Sequence, residues 1–90
     1  MSRVEATLVL MNKSGLHARP ASIFVQTAKK FQSKIIVKKG DKEADAKSIL
    51  SVLALGAECG DKITIIVDGD DADDALTALV NLVKSKFGEK

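Results

Sequence analysis

The chain has no tryptophan and no tyrosine, and its three phenylalanines fall at positions that read as core. A base-stacking platform therefore has nothing to be built from, and a net charge of only +2 adds no argument for nucleic acid. A single cysteine, Cys59, cannot close an internal disulfide, which fits a reducing compartment. One cysteine and one histidine far apart in sequence are a poor basis for a metal site, so no metal and no other cofactor is expected. No apolar run approaches about 18 residues, which excludes a transmembrane helix at the level of sequence. The opening residues Met1-Ser2-Arg3-Val4-Glu5 lack the continuous hydrophobic region of a secretion signal. The expected location is the cytoplasm.

What is present describes a folded domain. The apolar fraction is 46% and the charged fraction 29%, an ordinary balance for a globular chain and not that of a disordered one. Residues 1–90 are expected to form one domain, with a modest core and a stability of roughly 5 kcal/mol. Residues 4–11 read as a strand with Val4, Ala6, Leu8 and Leu10 on one face and Glu5, Thr7 and Val9 on the other. A helix over 18–31 follows, then a strand over 34–38 and a short, weakly apolar strand over 42–45 after the Gly40-Asp41 turn. A short helix over 48–55 closes at Gly56. The run Ile63-Thr64-Ile65-Ile66-Val67 reads as a strand, β-branched throughout, and Asp68-Gly69-Asp70-Asp71 as a turn and helix start. The last helix carries Ala75, Leu76, Leu79, Val80, Leu82, Val83 and Phe87 on a broad apolar stripe. The order βαββαβα, with alternating strands that need one face covered, predicts an α+β open-faced β-sandwich.

Chemistry concentrates in Gly15-Leu16-His17-Ala18-Arg19-Pro20-Ala21, which places the only histidine at a predicted helix start. From Ala21 the apolar residues Ala21, Phe24, Val25, Ala28 and Phe31 recur at helical spacing. Pro20, without an amide hydrogen, is best tolerated in the first helical turn, so His17 reads as the N-cap. A helix start offers free backbone N–H groups and the positive end of the dipole, a setting for an anion such as phosphate. The amides of Ala18 and Arg19 and the Arg19 guanidinium are the candidate phosphate ligands. A lone histidine at such a place is more often a surface cap, and a lone arginine a solvated charge. Their joint placement with Gly15 and Pro20 in seven residues is what argues for function.

That seven-residue stretch resembles the active-site signature of HPr, the histidine-containing phosphocarrier family of the bacterial phosphoenolpyruvate:sugar phosphotransferase system. A second segment, Lys47-Ser48-Ile49-Leu50-Ser51-Val52-Leu53-Ala54-Leu55-Gly56, resembles that family's regulatory serine region, with Ser48 lying 31 positions after His17 as in the family. Leu50 and Ser51 depart from it, standing where regulated members usually have Met and Gly. The resemblance covers essentially the whole chain. It implies a single HPr-like domain, a four-stranded antiparallel sheet with three helices on one face, and phosphorylation of His17 on Nδ1. It also implies as partners enzyme I, which donates phosphate from phosphoenolpyruvate, and the IIA units of sugar permeases, which receive it. A serine kinase/phosphorylase acting on Ser48, and a catabolite-control transcription factor binding the product, belong to the same implication.

The residues themselves agree with a carrier. Phosphoryl transfer through a side chain needs a nucleophile unprotonated near neutral pH and a product labile enough to pass the group on, and an imidazole meets both needs. No Gly-rich nucleotide loop, Asp/Asn metal pair or second histidine is present, so catalysis is expected from partners and not from this chain. A carrier that meets several proteins briefly is expected to be a monomer with a small, weak interface. Ile49, Leu50 and Leu53 are the candidate docking patch, Val52 and Leu55 read as core, and Lys29 and Lys47 are candidate rim charges. Ser48 reads most simply as the cap of the short helix, a position that also tolerates phosphate. The alternatives are a nitrogen-branch paralogue in a regulatory phosphorelay and a regulatory adaptor bound by a transcription factor when phosphorylated on Ser48. A small hydrolase is weakest, since its second catalytic group is missing.

Overall fold

Eight elements follow one another along the chain in the computed structural model, which describes residues 2–89. They are β1 (Ser2–Val9), α1 (Ala18–Ala28), β2 (Lys34–Lys39), β3 (Lys42–Asp45), α2 (Ile49–Ala54), β4 (Lys62–Gly69), α3 (Ala72–Lys84) and a 3-10 turn, Lys86–Gly88. The four strands form one sheet in the order β1-β4-β2-β3, every neighbouring pair antiparallel. The expected α+β open-faced sandwich is the fold observed. Alternation does the work that was expected of it. Ile35, Val37, Ile63, Ile65 and Val67 point inward and are buried, while Ile36, Thr64 and Ile66 stay on the half-exposed face. α3 packs across β1 and β4, α1 against α2 and α3, and α2 against β3. Phe24, Leu10, Leu16 and Leu79 are the larger side chains sealed between the layers.

The short helix and β2 differ from the sequence reading by a residue at their ends, α2 spanning Ile49–Ala54 and β2 Lys34–Lys39, and four larger differences each have a physical reason. β1 runs over Ser2–Val9 and not 4–11, because its partner β4 continues to Gly69, pairing Ser2 with Gly69. Asp68 and Gly69 are therefore strand residues, not turn. Leu10, past the strand end, is still held by the next loop: its amide donates to the Asp61 carbonyl at 2.9 Å, and its carbonyl accepts from Gly60 at 2.7 Å. α1 ends at Ala28, three residues before Phe31, and Lys30 and Phe31 make tight bonds back to Thr27 and Ala28.

The early stop has a visible cause. The Asp71 carboxylate accepts from the amides of Gln32 and Ser33, at 2.8 and 2.9 Å, and from the Ser33 hydroxyl. That carboxylate is thereby diverted from capping α3, whose N-cap position Asp71 occupies without a side-chain cap bond. Finally, Phe87 is not on the helical stripe. α3 ends at Lys84, and Lys86 and Phe87 turn left-handed, at φ 58° and 53°, to bring the Phe87 ring back onto the core at 6% exposure. For the two residues the left-handed conformation costs about 2–4 kcal/mol, most of which burial of a large apolar ring offsets at about 1.5–3 kcal/mol.

Candidate functional site

The segment before His17 is a tight turn clamped to a distant loop. Gly15 donates to the Asn12 carbonyl at 3.1 Å, and buried Asn12 returns a side-chain bond from Nδ2 to the Gly15 carbonyl at 2.8 Å. Gly15 has φ +62°, and a Cβ there would lie 2.6 Å from both the Ala57 carbonyl oxygen and the Glu58 Cα. Only glycine allows that approach and that conformation together. Leu16 then donates to the Ala57 carbonyl at 2.9 Å and buries its side chain completely. The turn is thus fixed on both sides before the chain reaches the histidine.

His17 is the N-cap of α1, as expected. Its backbone is extended, at φ −99° and ψ −176°, and its carbonyl accepts the first helical bond, from Ala21 at 2.8 Å. Its side chain makes no capping bond and is 54% exposed, so the ring is free to meet another molecule. The amides of Ala18 and Arg19 open the helix and have no upstream helical carbonyl to bond, and Pro20 has no N–H at all. No acidic residue occupies the first turn. Arg19 is exposed and has no ion pair among the described residues; it lines a shallow cleft with Pro20, Ile23, Phe87, Gly88 and Glu89.

Two acidic residues near this site gave no sequence signal, because each arrives from a distant segment. Glu58 brings Oε1 to 4.0 Å from His17 Nε2. Glu89 accepts from the Ser14 hydroxyl, from the Ser14 amide at 3.4 Å and from Asn12 Nδ2 at 3.4 Å. The Ser14 hydroxyl holds the Glu89 carboxyl below the usual glutamate range.

Ser48 is the N-cap of α2, its Oγ accepting from the Ser51 amide at 3.4 Å. Of the apolar residues on that helix, Val52 and Leu55 are core, while Ile49, Leu50 and Leu53 are 37%, 77% and 37% exposed. α2 packs against α1, which places this apolar surface beside the helix that His17 begins. Lys29 is exposed. Lys47 is half-buried, its Nζ donating to the Phe31 carbonyl at 2.7 Å, and it has no ion pair among the described residues. Cys59 is exposed, and among the described residues no three His, Cys, Asp or Glu side chains gather as a metal site. No helix among those residues is long and apolar enough to cross a membrane.

An exposed histidine on a helix start, set on this sheet, has close counterparts. Residues 4–85 match the family described as PTS HPr component phosphorylation site, which makes the class that of a phosphocarrier. The chain is 40% identical over 87 residues to the phosphocarrier protein HPr of Treponema pallidum, covering 97% of this chain and 99% of that one. It is also 40% identical over 89 residues to the phosphocarrier protein NPr of Shewanella violacea, covering 99% and 98%. Its fold superimposes on the crystal structure of HPr-C-His from Thermoanaerobacter tengcongensis with a TM-score of 0.94 at 49% identity, over 97% of this chain and 98% of the other. The chain belongs to the HPr family of the phosphotransferase system.

Proposed function

We propose that His17 carries the phosphoryl group, on Nδ1, taking it from phosphoenolpyruvate by way of enzyme I and passing it to IIA units of sugar permeases. The observation that carries this reading is the half-exposed His17 ring at the start of α1, which makes no capping bond and is followed by the helix-opening amides of Ala18 and Arg19 and by an Arg19 side chain with no ion pair among the described residues. Those groups supply hydrogen-bond donors and positive charge where the phosphate oxygens would lie. The chain acts as a monomeric substrate and donor, with catalysis supplied by its partners. The exposed Ile49, Leu50 and Leu53 are the docking patch, with Lys29 at its rim.

Incubation with phosphoenolpyruvate, magnesium and a cognate enzyme I should add one acid-labile, base-tolerant phosphate. His17→Ala should abolish it. Label that survives in the variant would refute the carrier reading.

A second reading draws support from the NPr relative, which matches this chain at the same identity as the HPr relative. In it the same His17 chemistry serves a regulatory phosphorelay. Supplying enzyme I of the sugar branch and of the nitrogen branch in parallel separates the two, by which one phosphorylates the chain faster. Ser48 is proposed as a secondary phosphorylation site, on the strength of its position at a helix start.

A further inference from the structure

Glu58 lies in the loop between α2 and β4, and its backbone is held from both ends. Its amide donates to Asp61 Oδ2 at 2.8 Å, and its carbonyl accepts from the Asp61 amide at 2.9 Å. Lys39 braces the same loop, with Nζ 3.2 Å from Asp61 Oδ2 and donating to the Gly56 carbonyl at 3.1 Å. On the other side Glu58 packs against Gly15, and Leu16 is bonded to Ala57. The loop is therefore docked on the two residues that precede His17, and this is what delivers the Glu58 carboxylate to the ring.

The direction of that approach is informative. Glu58 Oε1 faces Nε2, at 4.0 Å, and both side chains are exposed enough to rotate to the roughly 2.7–2.9 Å of a charge-assisted hydrogen bond. A neutral imidazole has one N–H and one lone pair, and a carboxylate can only accept. The nitrogen that faces it is thereby favoured as the N–H, which leaves the lone pair on the other nitrogen. Nδ1 is not taken up in capping α1, because the ring makes no capping bond, and among the described residues its one charged neighbour is Glu58, on the Nε2 side.

We propose that Glu58 is a positioning residue for phosphoryl transfer: its carboxylate holds the proton of the neutral His17 ring on Nε2 and so presents Nδ1 as the nucleophile. The proposal rests on the reading of His17 as the phosphoryl acceptor and adds to it a group outside the helix-start motif. In the transfer step the Nδ1 lone pair forms the bond to phosphorus. The donor's bond to phosphorus breaks with its electron pair returning to the donor, and the Nε2 proton stays where it is. The phosphorylated ring then carries positive charge that the carboxylate faces. Onward transfer returns the electron pair to Nδ1 and regenerates the same neutral tautomer, with no proton moved.

The test reads the tautomer directly, from 15N chemical shifts of the His17 ring in the unphosphorylated full chain at a pH where the ring is neutral. Glu58→Ala should lower the ratio of Nε2–H to Nδ1–H tautomer about two- to fivefold, the scale of an exposed charge contact. Glu58→Gln keeps an oxygen that can accept and should restore part of that ratio. With phosphorylated enzyme I as donor, Glu58→Ala should slow transfer at saturating donor by a similar factor with little change in KM. An unchanged tautomer ratio in Glu58→Ala would overturn the proposal. So would a loss confined to KM, which would make Glu58 a docking charge. Failure of the carrier reading shows separately, as a wild-type protein that takes no phosphate on His17.

Discussion

Arg19 has no carboxylate partner among the described residues, so its charge is available to an incoming anion without first breaking an ion pair. Arg19→Ala should slow phosphoryl transfer in both directions far more than it weakens partner binding, and Arg19→Lys should recover only part, since the planar fork is lost. Rapid-quench transfer rates beside a binding isotherm make that comparison; wild-type rates in Arg19→Ala would return the residue to the solvated surface. His17→Ala removes no cap bond, so its cost to folding should fall at or below the low end of the about 0.5–2 kcal/mol seen for lost caps. Ser48 does make its cap bond, and Asp caps about as well as Ser, so Ser48→Asp should leave the urea midpoint nearly unchanged. If Ser48 is a control point, the same substitution should lower the initial rate of transfer from enzyme I at low salt. That effect should shrink toward about 1 M salt, where the screening length is about 3 Å. Equal rates at low salt would leave Ser48 as a helix cap alone.

Among the elements, the turn at 12–16 is the most tightly specified. Gly15→Ala would force a Cβ into the Ala57 carbonyl and strain a left-handed backbone, so it should destabilise the fold by about 1–3 kcal/mol. It should also slow transfer, because the same displacement moves His17 relative to the 57–58 loop. Urea unfolding and transfer assays on one preparation measure both effects. This turn also shows where local sequence stops being informative. Gly15, His17 and Pro20 announced the helix start correctly, since φ freedom, a missing amide and helical spacing are local properties. The length of α1 was not local: Asp71, far along the chain, takes the amides of Gln32 and Ser33 and ends the helix early. Glu58 and Glu89 escaped notice for the same reason, being brought to the site by loop docking and by the turn after α3. The exposed Ile49, Leu50 and Leu53 and the buried Val52 and Leu55 were separable in advance, because a two-turn helix cannot bury all its apolar residues on one side.

At the scale of the molecule, three carboxylates tie loops together. Asp71 is held below its usual range by the Ser33 hydroxyl and then the Gln32 amide, Asp61 by the Glu58 amide and then Lys39, and Glu89 by the Ser14 hydroxyl. A carboxyl whose folded value is lowered stabilises the fold above its unfolded value, near about 4. That contribution is lost as pH falls through the lowered folded value. Stability should therefore be flat from neutral pH to about 5 and decline below about 4, and Asp71→Asn should flatten part of that acid limb. Urea midpoints across the acid range for wild type and variant are the measurement, and an identical acid limb would remove Asp71 from the account. Sheet order has a different consequence, for biosynthesis. β1 sits at an edge of the sheet and pairs only with β4, Ser2 opposite Gly69. A ribosome adding about 5–20 residues per second leaves β1 unmatched for several seconds while everything up to β4 is translated. During that interval its ladder groups stay open to any other strand that reaches them, and native closure of this edge waits on the emergence of β4.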